Sequence, residues 1–594
     1  MASTASSGPL QSANYRLLGL VGQGQFGQVY CAIHHKAARL VALKHLNRDR
    51  LTTRRFLREL RFLLSLEHPH IVNCYALEQS ATGRQLVLDY CEGGTLRSIM
   101  EQETQLTLAE ILTLVTDILS ALEHAHSQRI VHCDIKPENI LLSLTPNGWQ
   151  AKVSDFGIAR LNQELRGEHT GATGSPAYMA PERFYHQYAE TSDLYAVGII
   201  LYELLVGDRP FSGSHTQLMV AHLNHTAQIP DTLPQGVQSL LCKALEKLMA
   251  RRFNTASEMR AAIVSMRQTL MAAELRERFP KPIITSSVSH FHPQMSVPLA
   301  GICQAVCLST VGSDAPSMLF TAVDNSVYGW SLTPAGTCAE QQPIQQWQLE
   351  TPVQQVIDCP NGVIAVTHNA LYRLAADHVL LPVATFTDPI RVAAGNHRWI
   401  MVQSAVTPAR FWLVDSLGAV PTTPHLFTVD TPQGDLRGLY LDDRHFLIAD
   451  VVGQETHLQV ITRWGKRLGR LSLQAPLHLL ARSQHPNQFL AQSGTHKKDL
   501  LVISLKPFRV MRCRLEITAD WLGELVIGRV GVSAAGQLQI ANFQGQIIGR
   551  VDHLPPPTAI SFHPPCSLWL ATHQGNSPQL HHIDIRELDL EIVF

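Results

Sequence analysis

The sequence predicts an α+β domain followed by an all-β domain, a propeller with about seven blades. Two observations lead to this prediction. From about residue 15 to 270, strand-like segments pass into long helical patterns, and after residue 298 short alternating runs recur with turn residues between them. The length of 594 residues also exceeds the roughly 150 residues of one typical domain. We therefore expect at least two domains.

Composition narrows the class of protein. Hydrophobic residues make up 45% and charged residues 16% of the chain, which excludes disorder over most of its length. The formal net charge of -1 gives no overall field that would attract nucleic acid or anionic lipid. We expect no nucleic-acid partner.

The cysteines and the apolar runs indicate a soluble, cytoplasmic protein. The 11 cysteines contain no C-x-x-C pair, which favours reduced thiols over a disulfide framework or a zinc site. Residues 1–14 have neither a basic nor an apolar region of a signal peptide and are interpreted as a flexible tail. The apolar run at 194–206 is shorter than the ~20 residues of a membrane span.

The first chemical motif is a glycine-rich segment, VGQGQFGQVY, at 21–30. Gly22, Gly24 and Gly27 allow backbone amides to approach phosphate oxygens without interference from a Cβ atom. A dinucleotide-binding turn shares this spacing, but it would lead into a helix. Strand patterns flank these glycines on both sides, so we predict a hairpin.

A lysine and a glutamate follow this hairpin. Lys44 ends the strand-like VALK, and Glu59 lies away from the apolar face of a helical segment. A lysine that faces nucleotide phosphates needs a carboxylate to orient it, and Glu59 is the candidate. Taken singly, both residues would also fit a solvated surface.

The clearest helix is predicted over 111–126. Ile111, Leu114, Val115, Ile118 and Leu122 recur at helical spacing and share one face. We interpret this segment as a buried core helix.

Three further motifs establish a family resemblance: IVHCDIKPENILL at 130–142, VSDFGIA at 153–159 and SPAYMAPE at 175–182. With the glycine hairpin and Lys44, they resemble the eukaryotic-type serine/threonine protein kinases, including the bacterial Hanks-type members. The resemblance covers residues 15–270. It implies a two-lobed protein kinase fold that uses ATP and Mg²⁺ to phosphorylate protein Ser/Thr hydroxyls.

The resemblance also implies roles for individual residues. Asp134 would accept or orient the proton of the substrate hydroxyl, and Lys136 would neutralise charge on the γ-phosphoryl group. Asn139 and Asp155 would bind magnesium. Leu88 would be the gatekeeper. The implied nucleotide-binding set is Val21, Gly22, Gly24, Gly27, Val29, Ala42, Lys44, Glu59, Asp89 and Cys91.

Other residues would support this site. Lys136 and Ser175, whose hydroxyl would lie beside Asp134, favour Ser/Thr over Tyr substrates. The resemblance further pairs Glu182 with Arg252, and it has Asp193 accept hydrogen bonds from the catalytic-loop backbone.

One departure from the family lies in the usual His-Arg-Asp, which reads His132-Cys133-Asp134. The arginine that would pair with a phosphorylated activation loop is absent, so we expect activity to depend less on Thr170 and Thr173. Cys133 is interpreted as a small buried residue in the place of the arginine, with a redox role as the alternative.

Residues 271–297 lose periodicity and predict a linker, and 298–594 form the second domain. Its repeated unit is an apolar run, a polar turn and a second alternating run. Copies lie at 298–334, 352–376, 389–418, 436–465, 476–507, 520–545 and 557–585. This spacing is typical of propeller blades, whose apolar faces are buried only when several blades pack around a centre.

The second domain resembles WD-repeat-like propellers in architecture, although the GH and WD dipeptides of true WD repeats are missing. Two irregular β-sandwiches are the alternative fold. We expect the propeller to bind a protein partner or a small ligand. His368, His573, His581 and His582 raise the possibility of a hydrolase or lyase, but they lack metal-ligand spacing.

Two functions remain open from the sequence. The first is an active kinase with a propeller that recruits a partner or senses a ligand. The alternative is a catalytically silent, nucleotide-binding scaffold whose propeller mediates interactions.

Overall fold

A computed structural model describes most of the chain. The described residues run from 14 to 585 except 25–26, 38, 47–65, 81–82, 102–105, 157–174, 271, 280–286, 289–294, 310–316, 334–337, 360–361, 376–377, 396–398, 407–409, 417–423, 429–433, 443, 463, 486, 544, 564–566 and 575–576. Glu59, Thr170 and Thr173 lie outside the described residues.

The chain forms two compact units. One consists of Met1–Pro282 with Leu505–Val510, and the other of Ile283–Ser504 with Met511–Phe594. Both contain their own hydrophobic clusters, as independent domains require.

The first unit begins with an antiparallel sheet in the order β1-β2-β3-β5-β4. Its strands are β1 (Tyr15–Gly24), β2 (Gly27–His34), β3 (Arg39–Leu46), β4 (Cys74–Ser80) and β5 (Gly83–Asp89). Alternating side chains of these strands, including Ala32, Val41, Leu43 and Val87, form a buried cluster on one face.

The rest of this unit is mainly helical. Its helices are α1 (Leu96–Glu101), α2 (Leu108–Ser127), α3 (Glu190–Val206), α4 (His215–Asn224), α5 (Gln235–Ala244), α6 (Ala256–Thr269) and α7 (Ala272–Leu275). Short 3₁₀ helices lie at Pro137–Asn139, Pro176–Tyr178, Pro181–Tyr185 and Met249–Arg251. Two small antiparallel sheets pair β6 (Leu106–Thr107) with β9 (Arg278–Phe279), and β7 (Ile140–Thr145) with β8 (Gly148–Val153).

Helix α2 confirms the predicted core helix. Its predicted apolar face is buried, and its first turn is closed by a capping box. Thr107 Oγ1 accepts the backbone N–H of Glu110 at 3.2 Å, and Glu110 Oε2 accepts that of Thr107 at 2.8 Å. Such a cap contributes about 1 kcal/mol.

Helix α3 is buried on nearly all sides, as its continuous apolar composition indicates. It ends at Gly207, whose φ of 92° lies in the left-handed region that terminates helices. Among the described helices, none has both the length and the apolar character needed to cross a membrane.

The second unit consists of small sheets, seven among the described residues, and their strands are antiparallel except for the pair β10 and β35. The first sheet contains β12 (Cys303–Ser309), β13 (Met318–Val323), β14 (Ser326–Ser331) and β15 (Gln345–Gln348), and the second contains β16 (Gln355–Cys359), β17 (Gly362–Val366), β18 (Ala370–Leu374) and β19 (Leu380–Thr385). The third sheet contains β20 (Ile390–Gly395), β21 (Trp399–Ser404), β22 (Arg410–Asp415) and β23 (His425–Thr428). The fourth contains β24 (Asp435–Asp442), β25 (His445–Val452), β26 (Glu455–Thr462) and β27 (Arg467–Leu473).

The other three sheets include two strands that precede all the rest. The fifth sheet contains β28 (Leu477–Arg482), β29 (Gln488–Ser493), β30 (Asp499–Leu505) and β31 (Phe508–Arg514). The sixth contains β32 (Trp521–Leu525), β33 (Gly528–Val532), β34 (Leu538–Ala541) and β35 (Ile547–Val551), with the early strand β10 (Ser287–Val288). The seventh contains β36 (Pro557–His563), β37 (Ser567–Gln574) and β38 (Ser577–Asp584), with the early strand β11 (Met295–Pro298).

The first strands of these sheets contact one another in sequence. β12 contacts β16, and the contacts continue through β20, β24, β28, β32 and β36. β36 in turn contacts β12. The spacing of the sheets follows the seven predicted repeats.

The segment predicted as a linker, 271–297, contains more structure than its composition indicated. Met295–Pro298 pairs antiparallel with β38, from Met295 opposite His582 to Pro298 opposite Gln579. Val297 is buried in a cluster with residues of the first and last sheets, such as Leu319 and Leu580. This pairing could not be predicted from local patterns, because the partner strand lies far along the chain.

Candidate active site

The glycine-rich segment is a β-hairpin, as predicted. β1 and β2 pair antiparallel, and the described register ends with Gly24 opposite Gly27. Gly27 has a φ of 130°, which a residue with a side chain rarely adopts. A glycine at this position therefore avoids backbone strain.

A cavity of about 360 Å³ lies beneath this hairpin. Its volume is within the range of small-ligand sites. Five of the predicted nucleotide contacts line it from β1, β2 and β3: Val21, Gly22, Val29, Ala42 and Lys44. Leu88, Asp89, Cys91 and Asp155 also line the cavity. The apolar residues would enclose a flat ring, and the polar ones would meet its charged tail.

Lys44 and Asp155 form an ion pair at this cavity. Lys44 Nζ lies 2.5 Å from Asp155 Oδ1. Burial alone would raise the pKa of Asp155, but the charge and hydrogen bond of Lys44 outweigh it, and the pKa falls below its usual value. Asp155 is therefore held in its charged form, which metal binding would require. Glu59, the predicted partner of Lys44, is outside the described residues.

Asp134 lies on a loop beside this ion pair. Lys136 Nζ is 2.7 Å from Asp134 Oδ2, and Asn139 Nδ2 donates to the same oxygen at 3.1 Å. Ser175 meets Oδ1 through its backbone N–H, at 3.3 Å, rather than through the predicted hydroxyl contact. Asp134 is thus oriented from three directions.

The same loop connects Asp134 to Asp155. Asn139 Nδ2 also donates to the backbone carbonyl of Asp134 at 2.8 Å. The carbonyl of Asn139 accepts the N–H of Ser154, which precedes Asp155, at 2.8 Å. The predicted catalytic and metal-binding residues therefore share one hydrogen-bonded framework.

Asn139 and Asp155 also have the chemistry expected of magnesium ligands. Asn139 donates both of its side-chain hydrogen bonds from Nδ2, and its amide oxygen accepts none from the described residues. Asp155 Oδ2 is likewise without a donor among them, since Lys44 binds Oδ1. Two hard oxygen atoms are therefore available for a metal.

Asp193 anchors the loop that carries Asp134. Its carboxylate accepts the backbone N–H groups of His132 at 2.8 Å and Cys133 at 2.9 Å, as predicted. His126 Nε2 adds a contact at 3.0 Å. Burial would raise the pKa of Asp193, but these histidines and the backbone N–H lower it.

Cys133 differs from the prediction of a buried filler, since it is half-buried. Its backbone has a φ of 67°, in the left-handed region. Arg183, itself buried, donates from Nη1 to the carbonyl of Cys133 at 2.9 Å. This contact was missed because Arg183 belongs to a separate motif and nothing in its spacing marks it.

Glu182 and Arg252 form the predicted buried ion pair. Arg252 Nη1 and Nη2 lie 2.8 and 2.7 Å from the two carboxylate oxygens. Burial would raise the pKa of Glu182, but Arg252 lowers it below its usual value. The pair is two-pronged, which fixes the geometry of both groups.

Comparison with known proteins decides the family of this region. Residues 15–266 match the family model described as "Protein kinase domain". This stretch is therefore similar to protein kinase domains. The match ends before the second unit begins.

Individual relatives of the kinase domain are similar along the same stretch. Serine/threonine-protein kinase PrkC of Bacillus subtilis is 37% identical over 265 residues, which are 42% of this chain and 40% of PrkC. Probable serine/threonine-protein kinase PknB of Lactococcus lactis is 33% identical over 265 residues, 42% of each chain. RUNKEL of Arabidopsis thaliana is 35% identical over 249 residues, 41% of this chain and 18% of RUNKEL.

The chain thus spans less than half the length of each of these curated relatives. The second unit lies outside the matched family model.

Replacing Lys44 with methionine tests the phosphate-binding role of the ion pair. We expect kcat/KM for ATP to fall by about 10² or more, because a positioned cation in a water-poor site contributes about 3 kcal/mol. The measurement is steady-state kinetics of phosphate transfer. The control variant Lys243→Met, which breaks an exposed ion pair with Glu258, should have the kcat/KM of the wild type. Wild-type kinetics for the Lys44 variant would remove this lysine from the mechanism.

The depressed pKa values of Glu182 and Asp193 predict acid sensitivity of the kinase domain. Their stabilisation is fully present above the ordinary carboxyl pKa of about 4, and it is lost as the pH falls through the lower folded-state values. Urea unfolding followed by the helical circular dichroism signal should show this loss. The variant Glu182→Gln should have a lower free energy of unfolding at neutral pH, and this free energy should fall less on acidification than that of the wild type. Equal losses in the variant and the wild type would contradict a role of Glu182 in the acid sensitivity.

Proposed function

We propose that this chain is a serine/threonine protein kinase that transfers the γ-phosphoryl group of ATP to protein hydroxyls. The observation that carries the proposal is that the ion pair of Lys44 and Asp155 lines the cavity, while Asp134 and Asn139 belong to the hydrogen-bonded loop that joins the residue before Asp155. Phosphoryl transfer needs alignment and charge neutralisation more than covalent catalysis, and these groups supply both.

In this proposal each group has one task. Lys44 orients the α- and β-phosphates beneath the glycine hairpin. Asn139 and Asp155 hold Mg²⁺, which neutralises charge on the phosphates when bound. Asp134 accepts or orients the proton of the attacking hydroxyl, and Lys136, 2.7 Å from it, faces the transferred group.

The adenosine part is assigned to the apolar end of the cavity. Val29 and Ala42 would pack on the adenine ring, and the backbone groups of Asp89 and Cys91 would bond its edge. Leu88 would act as gatekeeper. The positions of these residues around the same cavity support the assignment.

Incubation of the full chain with γ-labelled ATP, Mg²⁺ and a generic basic protein substrate tests the activity. We expect label on serine and threonine but not on tyrosine after hydrolysis. The variant Asp155→Asn is the control, because it removes the negative charge that would bind the metal ion. Nucleotide binding with no more transfer than in the control would support the silent scaffold instead.

We further propose that the seven sheets of the second unit are the blades of a propeller that binds a partner or ligand. The sequential contacts of the first strands, with β36 returning to β12, support a closed arrangement. So does β11, which adds a strand from the start of the unit to the last sheet. An experimental structure would test the blade count. Pull-down with the full chain, followed by mass spectrometry, would test binding.

The propeller carries no sign of a catalytic metal centre in its described residues. Among them, no group of three or more His, Cys, Asp or Glu side chains could hold a metal ion. His581, one of the histidines considered above, is bonded to Ser296 Oγ at 2.8 Å and Thr572 Oγ1 at 3.0 Å. These bonds support a structural role for it.

A further inference from the structure

A second charged cluster lies next to the proposed phosphoryl-transfer site. Arg97, on α1, forms ion pairs with Glu138 Oε1 at 3.0 Å and with Glu203 Oε1 at 2.9 Å. It also bonds the hydroxyl of Tyr178, which in turn donates to Glu203 Oε2 at 2.5 Å. One guanidinium group therefore joins two carboxylates from two different elements.

The position of this cluster relates it to the protein substrate. Glu138 follows Lys136 in the catalytic loop and also lines the nucleotide cavity. Tyr178 lines a small cavity together with Asp134 and Ser175. The cluster thus flanks the position at which a substrate hydroxyl would reach Asp134.

The side chains of the cluster differ in exposure, from 46% for Glu138 to 20% for Arg97 and 6% for Glu203. Among the described residues, Arg97 is the cation that forms ion pairs with both carboxylates. Without it, one exposed and one buried carboxylate would be left uncompensated, and a guanidinium or ammonium group would be the natural ligand for them.

We propose that Arg97 determines substrate specificity by filling this anionic subsite from within the chain. A basic residue near the Ser or Thr of a peptide therefore adds little to kcat/KM. The preferred substrates are peptides whose recognition does not depend on such a residue. This inference rests on the proposed kinase activity and concerns the substrate class of the same site.

The test uses matched peptides around one serine, with arginine or alanine placed in turn at each flanking position. The ratio of kcat/KM for the arginine peptide to that for the alanine peptide should be near 1 in the wild type. In Arg97→Gln it should rise about tenfold or more at one position at least, because a charge-assisted hydrogen bond contributes about 1.5–3 kcal/mol.

Two further variants are measured beside Arg97→Gln. Arg260→Gln breaks a surface pair with Glu123, at 2.8 Å, and should leave all ratios unchanged. Arg97→Lys keeps the charge but cannot bridge both carboxylates, so its ratio should lie between that of the wild type and that of Arg97→Gln. It also serves as the test variant if Arg97→Gln does not fold.

The outcomes separate this inference from the kinase proposal. If the wild type transfers no phosphate to any substrate, the proposed function itself fails. If the wild type is active but the Arg97 variants keep its ratios, or only lose thermal stability, Arg97 is merely structural. A strong preference of the wild type for arginine peptides would also overturn the inference.

Discussion

Replacement of Asp134 with asparagine is expected to lower kcat by a factor of about 10² to 10⁴, the usual range for a lost general base. The amide has nearly the same shape, but it cannot accept the proton of a substrate hydroxyl. Asp134 does not line the nucleotide cavity described above, so we expect the Kd for ATP to change little. The loss should therefore appear in the chemical step.

Single-turnover kinetics and equilibrium nucleotide binding, measured on the same preparation, check this expectation. Asp208→Asn is the matched control, because it makes the same chemical change at an exposed position after α3. Turnover within tenfold of the wild type would show that Asp134 does not act on the hydroxyl. An equal loss of ATP binding would indicate that the loop as a whole had moved.

Replacement of Arg252 with methionine is expected to lower the free energy of unfolding of the kinase domain by about 3–5 kcal/mol, as for other broken buried ion pairs. The Arg252 side chain is fully buried and bonds both oxygens of Glu182 as well as the backbone carbonyls of Glu246 and Lys247. Methionine fills much of the space, but it leaves the Glu182 carboxylate buried without its cation.

Chemical denaturation of the variant and of Lys243→Met would measure the difference. The pair of Lys243 with Glu258 is exposed, and its loss should cost no more than about 1 kcal/mol. The double variant Glu182→Leu/Arg252→Met should recover part of the stability, since an apolar pair carries no uncompensated charge. Similar stabilities for Arg252→Met and Lys243→Met would contradict this reasoning.

Local patterns in the sequence were sufficient for the features that depend on neighbouring residues. The apolar periodicity of α2 and the strand patterns around Gly22 and Gly24 each specify one element, and both predictions are confirmed. The contacts of Asp193 with the loop backbone also follow the family resemblance. The catalytic roles of the site residues remain predictions.

Contacts between distant segments could not be read from the sequence. Arg97 and Glu203 are ordinary charged residues on two helices, and only the fold brings them within 2.9 Å. Arg183 and the carbonyl of Cys133 meet in the same way. Periodicity reports which face of an element is buried, but it does not say which other element covers that face.

The pairing of β11 with β38 affects how the protein is made. Met295–Pro298 leaves the ribosome early in the synthesis of the second unit, whereas its partner, Ser577–Asp584, follows much later along the chain. The early strand keeps unsatisfied backbone groups until that partner has been synthesised. A premature stop codon before residue 577 would deprive it permanently of its partner, so such a truncation would affect both ends of the unit.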